Sequence, residues 1–314
     1  MRRHFVHFLW GTLLAILGFT SLFFISVWNG WIGYMPDMDE LSNPIDKFAS
    51  QVYSSDQKLI GTWNQDNNNR IAIDYNGLSP HLVHALVATE DERFYEHSGI
   101  DFIALGRAII KRGVMRQASA GGGSTITQQL AKQLFSEKAH STMERLLQKP
   151  IEWIIAVKLE RHFTKEEILA MYFNYFDFLH NAVGIKRAAN VYFNKEPRNL
   201  NVTEAALLVG LCKNPSMFNP LRYPERCRQR RNVVLMQMVK SGYVTKDEYE
   251  ELSQRPLGIH FTKAKPVDGA ADYFQAFLRQ YMMANKPERK NYQTWQNRQF
   301  VLDSIAWEQD PLYG

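Results

Sequence analysis

The sequence has very little cysteine: only Cys212 and Cys227 occur among 314 residues. Two cysteines at this spacing match neither a disulfide framework nor a metal-ligand motif, and Cys212, within an apolar run, is expected to be a small core residue. The chain also lacks any block of five or more Lys or Arg, although its formal net charge is +5. The charge therefore gives no nucleic-acid signature. Hydrophobic residues make up 45% of the chain, which excludes wholesale disorder.

Charged residues are missing from a long segment near the N-terminus. The 24 residues from Phe5 to Trp28 contain no Asp, Glu, Lys or Arg. As a helix this segment would be about 36 Å long, enough to cross a bilayer with some tilt. A cleaved signal peptide is the alternative, although its apolar core would be only about 7–15 residues. Because Arg2 and Arg3 precede the segment, we expect a single-pass anchor in the cytoplasmic membrane, with the N-terminus inside and the rest periplasmic or otherwise extracytoplasmic.

Composition divides the chain into four parts. These are the cytoplasmic N-terminus with the anchor (1–31), a linker with a small hairpin (32–75), a domain with helical periodicity (76–256) and a linker toward a further domain (257–314). The hairpin is expected at 51–54 and 59–63, followed by a second extended piece at 70–74.

Helix start signals recur through residues 76–256. Ser79-Pro80 is an N-cap followed by a proline at the first helical position. Capping boxes predict three further helix starts, at Thr164–Glu167, Asn201–Glu204 and Thr245–Glu248. Pro150 is expected to start a helix over 151–161. Pro224 is expected to start a long helix that Gly242 ends.

Glu90 is the first candidate for chemistry. It continues the apolar helix face formed by Leu86 and Val87. A carboxylate on an apolar stripe is partly desolvated, which suits it to general-base work near neutral pH. The alternative is an ordinary charged helix end, in which Glu90 pairs with Arg93.

A glycine-rich loop, Gly121–Gly123, precedes a second candidate region. Such a loop at a helix N-terminus is a natural site for an anionic group. Polar residues at helical spacing follow the loop and share one face, namely Ser124, Gln128 and Lys132, with Thr125 and Gln129 beside them. This pattern predicts phosphate or sugar binding.

Two further groups of charges are less specific. Lys149 and Glu152 are three residues apart, but Pro150 lies between them, and an ordinary surface ion pair is the alternative. Arg107 lies in an apolar and basic stretch, residues 102–116. That stretch fits a membrane-interface helix or a core-facing amphipathic helix equally well.

These residues in this order resemble the family 51 glycosyltransferases, the peptidoglycan polymerase domains of class A penicillin-binding proteins and monofunctional transglycosylases. Five segments carry the resemblance: Glu90–Gly99, Gly122–Lys132, Lys149–Glu152, Ile168–Asn174 with Gly184–Ile185, and Glu204–Leu211 with Pro215 and Pro220. The resemblance covers roughly residues 50–245.

The resemblance implies a mostly α, lysozyme-like domain with a small jaw lobe near the membrane. It implies polymerisation of lipid II into glycan strands, with release of undecaprenyl diphosphate. Glu90 would then deprotonate the acceptor hydroxyl, and Glu152 would be the second catalytic carboxylate. By the same resemblance Arg107, Lys132 and Lys149 would hold the pyrophosphate, and the donor site would be lined by Ser124, Thr125, Gln128 and Gln129.

The resemblance also implies a cofactor and partners. A divalent cation, Mg²⁺ or Mn²⁺, would be held by Glu90 or Asp91 together with substrate phosphates, and no organic cofactor is expected. The expected partners are lipid II, the growing glycan strand, membrane lipids and other cell wall synthesis proteins. No nucleic acid is expected among them.

The sequence departs from the family pattern at three places. Gln148 stands where the third motif usually has Arg, Gln133 where the second has Asn, and residues 176–181 replace an aromatic-glycine stretch. The full Ser-x-x-Lys, Ser-x-Asn and Lys-Thr-Gly set of a transpeptidase is not present, and the tail resembles a linker toward such a domain. Two alternatives stay open: a lysozyme-like peptidoglycan hydrolase that also uses two carboxylates, and an inactive membrane scaffold.

Overall fold

The computed structural model describes residues 2–33, 35–36, 50–53, 55–56, 59–63, 71–110, 123–135, 142–262, 288–291 and 293. The chain forms two compact units. The first consists of residues 1–48 and 68–264, and the second of residues 49–67 and 265–314. Most of the linker predicted at 257–314, residues 111–116 of the apolar and basic stretch, and Gly121 and Gly122 of the glycine-rich loop lie outside the described residues.

The first unit is mostly helical. Its α-helices are α1 (Arg2–Trp28), α2 (Pro80–Glu90), α3 (Phe102–Ile109), α4 (Ile126–Phe135), α5 (Thr142–His162), α6 (Lys165–Tyr175), α7 (Ile185–Phe193), α8 (Val202–Cys212), α9 (Pro224–Lys240) and α10 (Lys246–Gln254). Short 3-10 turns lie at Tyr75–Gly77, Phe94–Glu96 and Pro197–Asn199. The prediction of a mostly α domain preceded by one apolar helix is confirmed.

The second unit contains the predicted hairpin. Strands β1 (Ser50–Tyr53) and β2 (Leu59–Trp63) are antiparallel, with Ser50 opposite Trp63 and Val52 opposite Gly61. The register is irregular between Val52 and Tyr53. A 3-10 turn at Arg289–Asn291 belongs to the same unit.

The helix starts follow the capping signals in the sequence. The Ser79 hydroxyl accepts a hydrogen bond from the His81 N–H, and Pro80 is the first residue of α2. The three predicted capping boxes are formed at the starts of α6, α8 and α10. In each, a Thr or Asn side chain and a Glu three residues later satisfy backbone N–H groups that the first helical turn leaves without partners.

Pro150 lies inside α5, so the prediction that a helix starts after it is wrong. Proline removes one backbone hydrogen bond and usually kinks or ends a helix. Here α5 continues because it packs against both α4 and α1, with Ile155 and Leu159 fully buried or nearly so. Tertiary packing thus outweighs the local signal, and Lys149 and Glu152 belong to one helix.

The core lies where α2 packs against α8 and α9, and where α4 packs against α5 and α6. Residues at helical spacing along these helices are buried, including Leu82, Leu86, Ile168, Tyr172, Val234, Leu235 and Met238. Full burial of one such side chain contributes about 1.5–3 kcal/mol. This packing therefore fixes the relative positions of the helices that carry the candidate site.

Residues 71–74 form no strand, so the second extended piece predicted there is not part of a sheet. Instead, the side-chain amide of Asn174 on α6 binds the backbone of Ile73. Its Nδ2 donates to the Ile73 carbonyl at 2.8 Å, and its Oδ1 accepts from the Ile73 N–H at 3.2 Å. One amide side chain therefore takes the place of a neighbouring strand.

The loop after α6 contains three consecutive non-glycine residues with left-handed backbone. Leu179, His180 and Asn181 have φ of 68°, 54° and 59°. Such a conformation costs roughly 1–2 kcal/mol per residue. The loop is held closed by the Asp177 carboxylate, which accepts from the Leu179 N–H at 2.8 Å. This is the segment in which the sequence departs from the aromatic-glycine pattern.

The apolar helix α1 contains a 25-residue span, His4–Trp28, with mean hydropathy 2.1, long enough to cross a membrane. Its C-terminal end contacts α5. Phe24 stacks on Trp153, with ring centroids 6.5 Å apart, while Lys158 Nζ and Arg161 Cζ lie 5.2 and 5.6 Å from the centroid of the Trp28 ring. These contacts fix the end of α1 to the domain.

A buried arginine joins α9 to the end of α10. Arg231 is fully buried. Its guanidinium donates to the carbonyls of Arg255 at 2.7 Å, Pro256 at 3.0 Å and Ser253 at 2.9 Å. The Ser253 carbonyl is one that the helix leaves without a partner at its C-terminus, and the other two belong to the residues that follow the helix.

Replacing Arg231 by Met should lower the free energy of unfolding by about 3 kcal/mol, because buried carbonyls lose a charged donor. The measurement is thermal or denaturant unfolding in detergent. Arg228→Met is the matched control, since Arg228 lies on the same helix and pairs at the surface with Glu225. Equal stability of the Arg231 and Arg228 variants would contradict this assignment.

Candidate active site

Glu90 is the last residue of α2, and its carboxylate is largely shielded from solvent. The preceding Leu86 and Val87 are buried, and the Glu90 side chain is 16% exposed. Gln129 Nε2 donates to Glu90 Oε2 at 3.0 Å, and Arg230 Nη2 lies 3.6 Å from Glu90 Oε1. Each carboxylate oxygen therefore faces a different donor from a different helix.

The alternative pairing of Glu90 with Arg93 does not occur. Arg93 Nε donates to Glu96 at 2.7 Å, and its Nη1 donates to Asp101 at 3.2 Å. Arg93 therefore stabilises the turn that follows α2. Glu90 is not part of an ordinary charged helix end.

Asp91 is buried and fully engaged inside the protein. Its two oxygens lie 3.1 and 3.0 Å from His97 Nε2, and Oδ2 also accepts the N–H of Ile126 at 3.0 Å. The carboxylate therefore does not fit the metal-ligand role expected for it. Among the described residues, no group of three or more His, Cys, Asp and Glu is arranged to hold a metal ion.

Gly99 connects the loop after α2 to both α4 and α5. Its carbonyl accepts from Thr125 Oγ1 at 2.7 Å and from Gln128 Nε2 at 3.2 Å. Its φ is +91°, and an added Cβ would lie 2.9 Å from the backbone of Ala156. Only glycine fits this left-handed, closely packed position.

Several polar groups at the start of α4 form hydrogen bonds within the protein. Thr125 and Gln128 are each only 2% exposed, so their side chains hold the Gly99 loop instead of facing solvent. The N–H of Ile126 is bound by Asp91 and that of Gln128 by the Thr125 hydroxyl. The anion site predicted at this helix N-terminus therefore lacks these two backbone donors, and the donor-site roles of Thr125 and Gln128 stay predictions that this geometry does not favour.

Lys149 and Glu152 form an ion pair beside the start of α4. Lys149 Nζ lies 2.6 Å from Glu152 Oε2 and donates to Ser124 Oγ at 3.3 Å. The Lys149 side chain is 51% exposed, whereas that of Glu152 is 3% exposed. The pair is thus no ordinary surface ion pair, because the acid is buried and the base reaches solvent.

The two candidate carboxylates are both linked to residues at the start of α4. Glu90 is linked to Gln129, and Glu152 is linked through Lys149 to Ser124, which directly precedes the helix. The fold therefore brings together residues that are far apart in the sequence.

Arg107 and Lys132 are exposed and, within the described part of the chain, make no hydrogen bond or ion pair. Gly123 explains why α3, which carries Arg107, approaches the start of α4. An added Cβ on Gly123 would lie 3.2 Å from Ala108 Cβ and 3.4 Å from Leu105 Cα. The missing side chain allows the close approach, and two exposed cations are available to an anionic ligand.

The family assignment follows from comparison with known proteins. The chain matches the Transglycosylase family over residues 56–239, which is more than half of its length and contains both candidate carboxylates. This chain belongs to the transglycosylase family. The resemblance inferred from the motifs is thereby confirmed.

Transglycosylase relatives include several penicillin-binding proteins. Penicillin-binding protein 1A of Aquifex aeolicus is 38% identical over 276 residues, which cover 87% of this chain and 36% of that protein. Penicillin-binding protein 1F of Bacillus subtilis is 33% identical over 85% of this chain and 35% of that protein. The chain spans about a third of the length of these curated relatives. A crystal structure of penicillin-binding protein 1A from Haemophilus influenzae aligns with 74% of this chain and 24% of that chain, at 24% identity and TM-score 0.37, and adds nothing to the assignment.

The sequence did not identify Arg230 and Tyr172 as parts of the site, although both lie near Glu90. Arg230 lies in an arginine-rich stretch of α9, where no local pattern distinguishes it from its neighbours. Tyr172 belongs to the fourth motif, but its helical spacing marks it only as a core residue. Its hydroxyl donates to Gln129 Oε1 at 3.1 Å. Burial raises its pKa, and nearby Cys212 and Glu90 add to the shift, so the hydroxyl stays a donor.

A charge network that the sequence did not predict stabilises the loop after α2. Its members include Lys165 of α6 and Glu160 of α5. Lys165 Nζ donates to the His97 carbonyl at 2.7 Å and to Glu160 at 2.8 Å, and it lies 4.2 Å from the centroid of the Phe94 ring. Thr127 Oγ1 donates to the same Glu160 carboxylate at 2.6 Å. This charge network is half-buried, which strengthens its hydrogen bonds.

Gly99→Ala should lower the free energy of unfolding by about 3 kcal/mol or more, through backbone strain and a clash with Ala156. Gly106→Ala is the control, since an added Cβ there meets no atom within 4 Å and the residue lies in α3. That variant should be stabilised by about 0.5–1 kcal/mol. Both effects are measured by unfolding in detergent, and a Gly99 variant as stable as wild type would contradict the tight packing described here.

Proposed function

We propose that this chain is a peptidoglycan glycosyltransferase that polymerises lipid II into glycan strands for bacterial cell wall synthesis. The arrangement that carries the proposal is the pair of shielded carboxylates, Glu90 and Glu152, both linked to the start of α4, with the half-exposed Lys149 bound to Glu152 and Ser124. Membership of the transglycosylase family and similarity to penicillin-binding proteins support it.

In the proposed reaction Glu90 acts as the general base. Its carboxylate accepts the proton of the 4-hydroxyl of the incoming lipid II, and that oxygen attacks the anomeric carbon of the lipid-linked glycan. The bond from this carbon to the phosphate oxygen breaks, and its electron pair leaves with undecaprenyl diphosphate. A shielded carboxylate next to an apolar helix face is suited to this task.

Stabilising the leaving diphosphate needs positive charge more than a proton donor. Lys149 is half-exposed and oriented by Glu152, while Arg107 and Lys132 are exposed. These three cations are our candidates for the diphosphate contacts, and Ser124 and Gln129 for contacts at the donor site. No step of the proposal passes through a metal ion.

A membrane location suits a substrate with a polyprenyl tail. The end of α1 contacts α5, the helix that also carries Lys149. On α3, Phe102 is 71% exposed and Ile103 is 60% exposed. These exposed apolar side chains favour the membrane-interface interpretation of this segment over the core-facing one. We propose that α1 is the anchor and that the domain lies outside the cytoplasmic membrane.

The two alternatives differ from the proposal in what they require. A lysozyme-like hydrolase would use two carboxylates but would not need several exposed cations beside them. An inactive scaffold would not need Glu90 to be held at both oxygens. The described geometry therefore favours transfer to a lipid-linked acceptor.

The test is polymerisation of purified lipid II. Glu90→Gln keeps the shape of the side chain but cannot accept the proton, so the rate should fall about 10²-fold or more. Folding, measured by the melting temperature, should change by only a few degrees. Glu152→Gln should give a smaller or mixed defect, because Glu152 orients Lys149.

Glu92→Gln is the matched control, because Glu92 is exposed and two residues from Glu90. It should polymerise lipid II at the wild-type rate. Near-wild-type polymerisation by Glu90→Gln would reject the base assignment. Fragmented glycan from the wild-type protein would indicate a hydrolase, and neither product would indicate a scaffold.

The anchor is tested by fractionation. The wild-type protein should stay in the membrane after carbonate washing, and protease added to spheroplasts should digest the domain. Leu14→Arg with Leu17→Arg should release the protein, since each central Arg costs roughly 2.5–3.5 kcal/mol on insertion. The matched Ala pair should stay bound. A soluble wild-type protein that begins near residue 30 would show that α1 is a cleaved signal.

A further inference from the structure

Arg230 lies beside Glu90 although it belongs to a helix much later in the chain. Its Nη2 is 3.6 Å from Glu90 Oε1, and the two side chains are 13% and 16% exposed. The proposed reaction gives Arg230 no contact with substrate. Its position next to Glu90 instead indicates that Arg230 acts through the Glu90 carboxylate.

The guanidinium of Arg230 is held in place from two other directions. Its Nε donates to the Gly210 carbonyl at 3.5 Å, and its Cζ lies 5.9 Å from the centroid of the Phe218 ring. Burial lowers the pKa of Arg230, and the charge of Glu90 opposes that shift. Arginine remains protonated across the range in which an enzyme works. Arg230 is therefore a fixed positive charge at this point of the fold.

The other oxygen of Glu90 is fixed independently. The Tyr172 hydroxyl donates to Gln129 Oε1 at 3.1 Å, which leaves Gln129 Nε2 to donate to Glu90 Oε2 at 3.0 Å. Because an ionised carboxylate can only accept, the amide turns its Nε2 toward Glu90, and the Tyr172 hydroxyl supplies the donor that Oε1 needs.

The titratable groups that face Glu90 are Arg230 of α9, Tyr172 of α6 and Cys212 of α8. Burial raises the pKa of the Cys212 thiol, and Glu90 adds to the shift. Tyr172 and Cys212 are therefore neutral near neutral pH, and the charge that acts on the carboxylate from these three helices is that of Arg230.

We propose that Arg230 is a positioning residue that holds the Glu90 carboxylate in place for proton abstraction. A charged donor makes a stronger contact with a carboxylate than a neutral donor does, and the contact is strengthened where both groups are shielded from water. Gln129 alone, as a neutral donor at the other oxygen, would orient the carboxylate less firmly. The inference rests on the proposed function, because it assigns Arg230 to the same base.

The test is the steady-state kinetics of lipid II polymerisation. In Arg230→Met kcat should fall about ten- to hundredfold with little change in KM, because the base is less well oriented. Arg230→Lys keeps the charge and should recover most of the lost kcat.

Two other arginines of α9 provide the comparison. Arg228→Met should have the wild-type kcat, since Arg228 pairs with Glu225 at the surface. Arg231→Met should lose stability with little change in the kcat of the folded protein, since Arg231 binds carbonyls at the end of α10. A purely structural role for Arg230 would reproduce the Arg231 result, and a wild-type kcat in Arg230→Met would overturn the proposal.

Stability gives a second measurement that does not need activity. Arg230→Met leaves a shielded carboxylate without its counter-charge, so adding Glu90→Gln should restore part of the lost melting temperature. Additive losses in the double variant would contradict the coupling. If Glu90→Gln abolishes polymerisation while Arg230→Met matches wild type, only the Arg230 inference fails. If the wild-type protein does not polymerise lipid II, the proposed function itself fails.

Discussion

The site depends on one buried carboxylate, that of Asp91. It lies against His97 and accepts the N–H of Ile126, so the loop after α2 is tied to the first turn of α4. Breaking such a link would leave a charge buried without a partner, which costs several kcal/mol. Because Glu90 directly precedes Asp91, the same link fixes where the proposed base lies. The Gly99 carbonyl, bound by two side chains of α4, closes the other end of this loop.

The polar residues near the start of α4 fall into two groups that the motif alone does not separate. Thr125 and Gln128 are buried and hold the loop, whereas Gln129 donates to Glu90 and Ser124 accepts from Lys149, the partner of Glu152. Burial explains this division, because a buried polar group must find its partner inside the protein. The residues that remain half-exposed or exposed are the ones available to a substrate.

Helix α5 connects the apolar N-terminal helix with the site. One part of α5 carries Lys158 and Arg161, which contact the Trp28 ring, and an earlier part carries Lys149 and Glu152. Lys149 and Lys158 are nine residues apart, roughly 13 Å along the axis. Because the helix is continuous, the proposed anchor and the candidate site are connected through one rigid element. If α5 ended at Pro150, this connection would be lost.

The sequence by itself determined the features that depend on neighbouring residues. Capping boxes, the start of α2 at Pro80, the apolar helix and the motifs that indicate the transglycosylase family are all local. Only the tertiary structure decided that Arg230 and Tyr172 surround Glu90, that Arg93 does not, and that Pro150 lies within a helix. The reason is physical. A charged side chain takes the partner that folding brings within reach, and a helix persists where packing on both flanks outweighs one lost hydrogen bond.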